Sequence, residues 1–184
     1  MDDRPKKALF ILGGLDDDDL RWIIYKGKVQ TLPAGETLIY EGRPIAALYI
    51  VLSGTLRVSI HPNGDRELAH LSQGEVVGEI SFLDNRAPLA TVQALEKTQL
   101  LAIPRYELTM KLRNSSKFSS RFYQGICLCL ANRMRGTVRR LGYQLDEEDP
   151  DLLFGDDFTQ NMQDFLTLAE AKFNWLLYNL KLIN

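Results

Sequence analysis

The sequence predicts a mainly β fold with helices at both ends. The core is a jelly roll or double-stranded β-helix of short antiparallel strands. It is flanked by N-terminal helices, a long C-terminal dimerisation-type helix and one further terminal helix. Three observations predict this. From Val29 onward, short segments rich in β-branched and aromatic residues are cut by Gly35, Gly42, Gly54, Gly64 and Gly74, at intervals of 7 to 12 residues. That rhythm belongs to an all-β sandwich or roll. After Pro104 the apolar residues recur with a helical period, and they do so again from about Thr159 to Leu182.

The elements follow in order. Residues 5–12 read as a short helix ending at Gly13-Gly14. A second helix starts where Asp16 can cap it, with Asp17 to Asp19 in the first turn and Leu15 and Leu20 placed as a hydrophobic staple. The aspartate run is a dipole-compensating helix start, which needs no metal. The roll follows, with its clearest hairpin turn at His61-Pro62-Asn63-Gly64-Asp65, because Asn-Gly accepts positive φ cheaply. Its last strands are Ala90–Leu95 and Thr98–Ile103. Arg105–Leu112 is a short helix and Ser115–Leu141 a long one. On the long helix Phe122, Tyr123, Ile126, Cys129, Leu130, Met134 and Leu141 share one broad face, and Lys117, Arg121, Arg135 and Arg139 cluster on the other. An apolar face of that length has more to bury than one small roll covers, so a homodimer through the long helix is expected. An acidic linker carries seven carboxylates between Asp146 and Asp157. The last helix has Met162, Phe165, Leu166, Ala169, Phe173, Leu176, Leu177 and Leu180 as its stripe. The divisions expected are 1–28 for the N-terminal helices, 29–104 for the roll, 105–143 for the hinge and long helix, and 144–184 for the linker and terminal helix.

Bulk properties narrow the function. The 184 residues carry a net charge of −2, which gives no general attraction to nucleic acid or acidic lipid. The longest apolar run, Ala46 to Leu52, is far too short to span a bilayer, and the N-terminus lacks a signal-peptide layout, so a cytoplasmic protein is expected. Cys127 and Cys129 lie about 200° apart around a helix and cannot pair within one chain. His61 and His70 are not at metal-ligand spacing with the cysteines, and no nucleophile–base pair, P-loop or dinucleotide fingerprint is present. No catalytic residue, metal or cofactor is therefore expected. Residues 105–140 hold nine Lys or Arg against the single acid Glu107. The acidic linker that follows argues for a self-neutralised face, and nucleic acid is not an expected partner.

The functional candidate is Gly78 to Val92, GEISFLDNRAPLATV: a Gly-Glu pair, a short helix, a loop with Arg86, then a strand. A helix start followed by an arginine-bearing loop is a place for an anion. The Gly-Glu-x-Ser opening and Ala-Thr-Val close, together with LPAGETLIYEG and LYIVLSGTLRVSI, resemble the cyclic nucleotide-binding domain family over about residues 8–143. The resemblance is to bacterial stand-alone members without a DNA-binding domain. It implies that Gly78, Glu79, Ile80 and Ser81 open a phosphate-binding cassette, with Glu79 on the ribose 2′-hydroxyl, and that Ala90 and Thr91 close it. It also implies that Arg121, Phe122 and Tyr123 lie near the base. The family's phosphate arginine stands three positions before the Thr, where this chain has Pro88, which carries no donor. Arg86 is two residues early. It either reaches round the loop to the phosphate or faces solvent.

Two functions follow from the resemblance. The first is a cytoplasmic, non-enzymatic regulator that senses a cyclic nucleotide, cyclic AMP or cyclic GMP, or a related anion, and signals by hinge-helix movement to an unidentified protein partner. The second is a degenerate fold acting as a dimeric interaction module without cyclic nucleotide, motivated by Pro88.

Overall fold

A computed structural model describes residues 8–61, 66–143 and 160–183. The elements run α1 (Ala8–Gly14), α2 (Asp17–Lys26), β1 (Lys28–Leu32), β2 (Thr37–Ile39), β3 (Ala47–Ser53), β4 (Leu56–Ile60), β5 (Arg66–Leu71), β6 (Val76–Val77), α3 (Glu79–Asp84), β7 (Thr91–Ala94), β8 (Thr98–Pro104), α4 (Arg105–Asn114), α5 (Ser116–Tyr143) and α6 (Gln160–Ile183). The strands form two four-stranded antiparallel sheets, one ordered β1-β8-β3-β6 and the other β2-β7-β4-β5. This is the expected roll with helices at both ends. The hairpin turn at 62–65 and the acidic linker lie outside the described residues, although β4 and β5 do pair up to Ile60 and Arg66.

The apolar run at Ala46 to Leu52 becomes β3, which is buried on both faces. Ala47, Tyr49 and Val51 turn into the roll interior with Leu56, Leu71, Val92 and Leu100. Leu48, Ile50 and Leu52 turn the other way, to Phe10, Ile23, Phe118 and Phe122 of the helices. Strand alternation therefore splits one run between two cores, which is why it reads as continuous rather than alternating.

The start of α2 forms as its residues dictate. Asp16 caps it, the Asp16 carboxylate accepting from the Asp19 N–H at 2.9 Å and the Asp19 carboxylate from the Asp16 N–H at 3.3 Å. Leu15 and Leu20 are both buried beside it. In α5 the apolar face divides. Phe118, Phe122, Ile126 and Cys129 are buried, whereas Met134 is 69% exposed. The side chains of Leu141 and Arg139 lie outside those described. The buried half is covered within the same chain, by α1, Trp22 of α2, Phe82 of α3 and the outward side chains of β3. The crossing is close: a Cβ on Gly125 would stand 2.6 Å from both the Phe10 carbonyl oxygen and the Ile11 Cα.

The last helix, α6, docks on α1 and α2. Ala169, Phe173, Leu176 and Leu180 are buried, and Met162, Phe165, Leu166 and Leu177 pack at the margin. Lys172 Nζ donates to the carbonyls of Gly13 at 2.8 Å and Leu15 at 2.6 Å. It thereby supplies a cationic cap to the end of α1, where carbonyls lack helical partners. Its partial burial pushes the amine below its ordinary pKa, against the pull of Asp17, Asp16 and Asp19. Among the described residues no helix is long and apolar enough to cross a membrane.

Candidate functional site: a cassette gripped by two arginines

Strand β6 ends at Gly78, which takes φ 89° and so turns the chain directly into α3. A side chain here would be strained, and its Cβ would meet Ile45 Cδ1 at 2.8 Å. The helix is only six residues long and leaves through Asn85, also left-handed with φ 59°. The loop then runs past Pro88 into β7. Two hydrogen bonds tie it to the turn after β2. The Gly42 N–H donates to the Pro88 carbonyl at 2.9 Å, and the Glu41 N–H donates to Thr91 Oγ1 at 3.2 Å.

Glu79 is buried, at 2% exposure. Its carboxylate is bound by Arg133 Nη1 from the long helix, and Arg133 Nη2 donates to the Val76 carbonyl at 3.1 Å. Burial pushes the Arg133 guanidinium below its ordinary pKa, and the nearby Glu75 carboxylate opposes that shift. Glu75 accepts from the Ser72 N–H at 2.7 Å. Ser81 is buried, while Ile80 is 53% exposed. Ala90 and Thr91 are half-buried at the loop's end.

Arg86 turns outward. Its side chain is 85% exposed, with Nε 3.8 Å from the Asp84 carboxylate. The Arg86 N–H also donates to Asp84 Oδ1 at 3.0 Å. The three residues placed on the base side by resemblance have different surroundings. Arg121 donates through Nε and Nη2 to Asp19 Oδ2 at 2.9 and 2.6 Å and lies 2.7 Å from Asp16 Oδ2, tying α5 to α2. Phe122 is buried between Phe118, at 5.7 Å centroid to centroid, and Phe82 of α3, at 6.0 Å. Tyr123 is 42% exposed and meets the Phe122 ring edge-on.

Two site residues were not singled out by the sequence. Arg133 was one of nine basic residues on a long amphipathic stretch, and nothing local marks it. Arg105, the first residue of α4, reaches the far end of α3. Its one signal is its place directly after Pro104, at the strand's end. Two cavities open elsewhere. One of about 490 Å³ is lined by Tyr25, Lys28, Pro104 and Tyr106, and one of about 310 Å³ lies between α6 and the first sheet; no residue from Gly78 to Thr91 lines either.

Comparison with known proteins agrees with this fold. The family described as the cyclic nucleotide-binding domain matches residues 22–115, about half of the chain. The cyclic AMP receptor protein of Thermus thermophilus is 40% identical over 83 residues, 44% of this chain and 38% of that protein. A lysophospholipase of Kluyveromyces lactis is 38% identical over 78 residues, 40% of this chain and 5% of the enzyme. The matches thus span well under two thirds of these relatives' length. Among solved structures, a cyclic nucleotide-binding domain from Methylobacillus flagellatus superposes with a TM-score of 0.67 at 22% identity, covering 78% of this chain and 85% of that one. With the roll and its flanking helices in place and the family model matching residues 22–115, the chain belongs to the cyclic nucleotide-binding domain family.

Proposed function

We propose that this chain is a regulatory sensor that takes a cyclic nucleotide, cyclic AMP foremost, on the Gly78–Thr91 loop and reports it through the long helix. The observation that carries this reading is the buried Glu79–Arg133 pair. By family resemblance Glu79 is the ribose acceptor, yet its carboxylate is engaged by a residue of α5. A ligand hydroxyl that takes Glu79 must displace Arg133, and α5 is then free to move relative to the roll. Occupancy and helix position become one equilibrium, shifted only by as much as the ligand prefers the released state. The similarity to a cyclic AMP receptor protein supports the choice of ligand. The match to a lysophospholipase covers only 5% of that enzyme, which supports reading the shared part as a non-catalytic module. The reading includes a cytoplasmic homodimer through the exposed part of α5, acting on a protein partner.

Binding is weak in this account. Pro88 brings no donor to the phosphate, and a missing charged hydrogen bond of about 1.5–3 kcal/mol lowers affinity roughly ten- to a hundredfold. Isothermal titration with cyclic AMP and cyclic GMP is the test, with heat expected in the high micromolar range or weaker. Absence of heat and of any thermal shift at millimolar ligand ends this reading.

A specific observation favours a second reading. Arg86 is 85% exposed, and with Pro88 beside it the loop presents no inward cation of its own. In that reading the domain is an interaction module that works without cyclic nucleotide. Pro88→Arg separates the two: a wild type without affinity that gains it in the variant supports the module. A wild type that binds, and binds more tightly in the variant, supports the sensor.

A further inference from the structure

A six-residue helix has almost no intrinsic stability in water, so α3 takes its shape from what grips it. Arg133 holds its first turn. Its last turn is held by a second arginine from a different helix. Arg105 Nη1 donates to the Ser81 carbonyl at 3.1 Å, and Nη2 donates to the Phe82 carbonyl at 3.2 Å and to Asn85 Oδ1 at 2.9 Å. The guanidinium also lies over the Phe82 ring, 5.1 Å from its centroid. The two carbonyls belong to the helix's last four, which have no partner within the helix. The side-chain oxygen belongs to Asn85, the one non-glycine residue with positive φ among those described. A planar fork holds its donors in a fixed geometry and reaches all three acceptors together, which the compact, rotatable donors of an ammonium do less well.

Arg105 is anchored in turn. Its N–H donates to the Ala46 carbonyl at 2.9 Å, at the end of the roll, and its carbonyl accepts from Thr109 Oγ1 at 2.8 Å, within α4. It therefore stands where the rigid strand β8 becomes the hinge helix.

We propose that Arg105 is the positioning residue of the cassette: it holds Asn85 in the left-handed conformation, sets the path of residues 85–91, and makes that path depend on the orientation of α4. This deepens the sensor reading and rests on it. Arg133 reports whether Glu79 is taken, and Arg105 carries movement of the hinge helix to the part of the loop that faces the ligand's phosphate.

Amide hydrogen exchange on the unliganded full chain tests the positioning role without any ligand. In Arg105→Met, amides of residues 82–90 should exchange about tenfold faster or more, the scale of one lost charged hydrogen bond, while β3 and β8 keep their protection. Arg105→Lys should fall between wild type and Met. Asn85→Gly keeps the left-handed φ and removes only the Oδ1 contact, so it should speed exchange at 85–90 and leave 82–83 unchanged. Unchanged exchange at 82–90 in a folded Arg105→Met overturns the proposal. If that variant does not fold, unchanged exchange at 85–90 in Asn85→Gly overturns it. Cyclic AMP titration of wild type and Asn85→Gly separates the two ideas. Several-fold weaker binding in the variant supports both. A wild type that takes no nucleotide, with the exchange pattern as expected, removes the sensor reading and leaves the positioning role standing.

Discussion

Glu79 is a carboxylate removed from water, with its side chain 3% exposed. A charge so placed is costly unless a partner and hydrogen bonds compensate it, and Arg133 supplies both. Removing one partner leaves the other buried alone. Arg133→Met should therefore destabilise the fold by roughly 3 kcal/mol, read from urea unfolding. The double variant Arg133→Met with Glu79→Met should recover part of that loss, because no unpaired charge remains. Asp16 is a second residue with a defined role. The Asp19 backbone N–H holds its carboxyl below the ordinary 3.8 against the opposing effect of burial, and Arg121 adds to the lowering. A carboxyl lowered in the folded state stabilises the protein above its unfolded pKa, and that contribution is lost as pH falls through the folded value. Asp16→Ala should cost about 1 kcal/mol at neutral pH and flatten the acid limb of the stability curve, measured by denaturant midpoints between pH 2 and 6. The cap was legible because its partners are three residues apart. The pairs Glu79–Arg133 and Asp19–Arg121 were not, because 54 and 102 residues separate them and only the tertiary fold brings them together.

At the scale of elements, the strands were legible because local chemistry sets them. Of the five glycines that punctuate the roll, the four described, Gly35, Gly42, Gly54 and Gly74, all have positive φ. The stripe of α6 was legible too, but its partner was not. Phe165 and Ala169 fit against Gly13, where a Cβ would come within 2.6 Å of the Phe165 ring. That complementarity has no sequence period to betray it. Phe173 is buried where α6 meets the helical core, at 1% exposure. Phe173→Ala should cost about 3–5 kcal/mol in thermal or urea unfolding, the range for an aromatic truncated in a core. A loss below about 1 kcal/mol would mean that α6 contributes little to the folded unit. The cassette's frame was readable from Gly78-Glu79 and Ala90-Thr91, whereas the direction of Arg86 was not. It follows from the Asp84 contacts and the left-handed turn at Asn85.

For the whole molecule, the long helix keeps a seam that is exposed among the described residues. Tyr123, Cys127, Met134 and Val138 recur at four- and seven-residue spacing. Tyr123, Met134 and Val138 are 42%, 69% and 59% exposed. Such a stripe suits pairing with the same helix of a second copy. Light scattering should give a dimer for the wild type and a monomer for Met134→Glu; a wild-type monomer at tens of micromolar would remove the dimer from the account. In the proposed sensor a ligand and Arg133 compete for Glu79. Calorimetric titration of cyclic AMP into wild type and Arg133→Met, side by side, measures that competition. Weak binding to the wild type and binding at least about tenfold tighter in the variant are expected, because the competitor is gone. Equal affinities, or no heat in either protein, would rule out competition at Glu79.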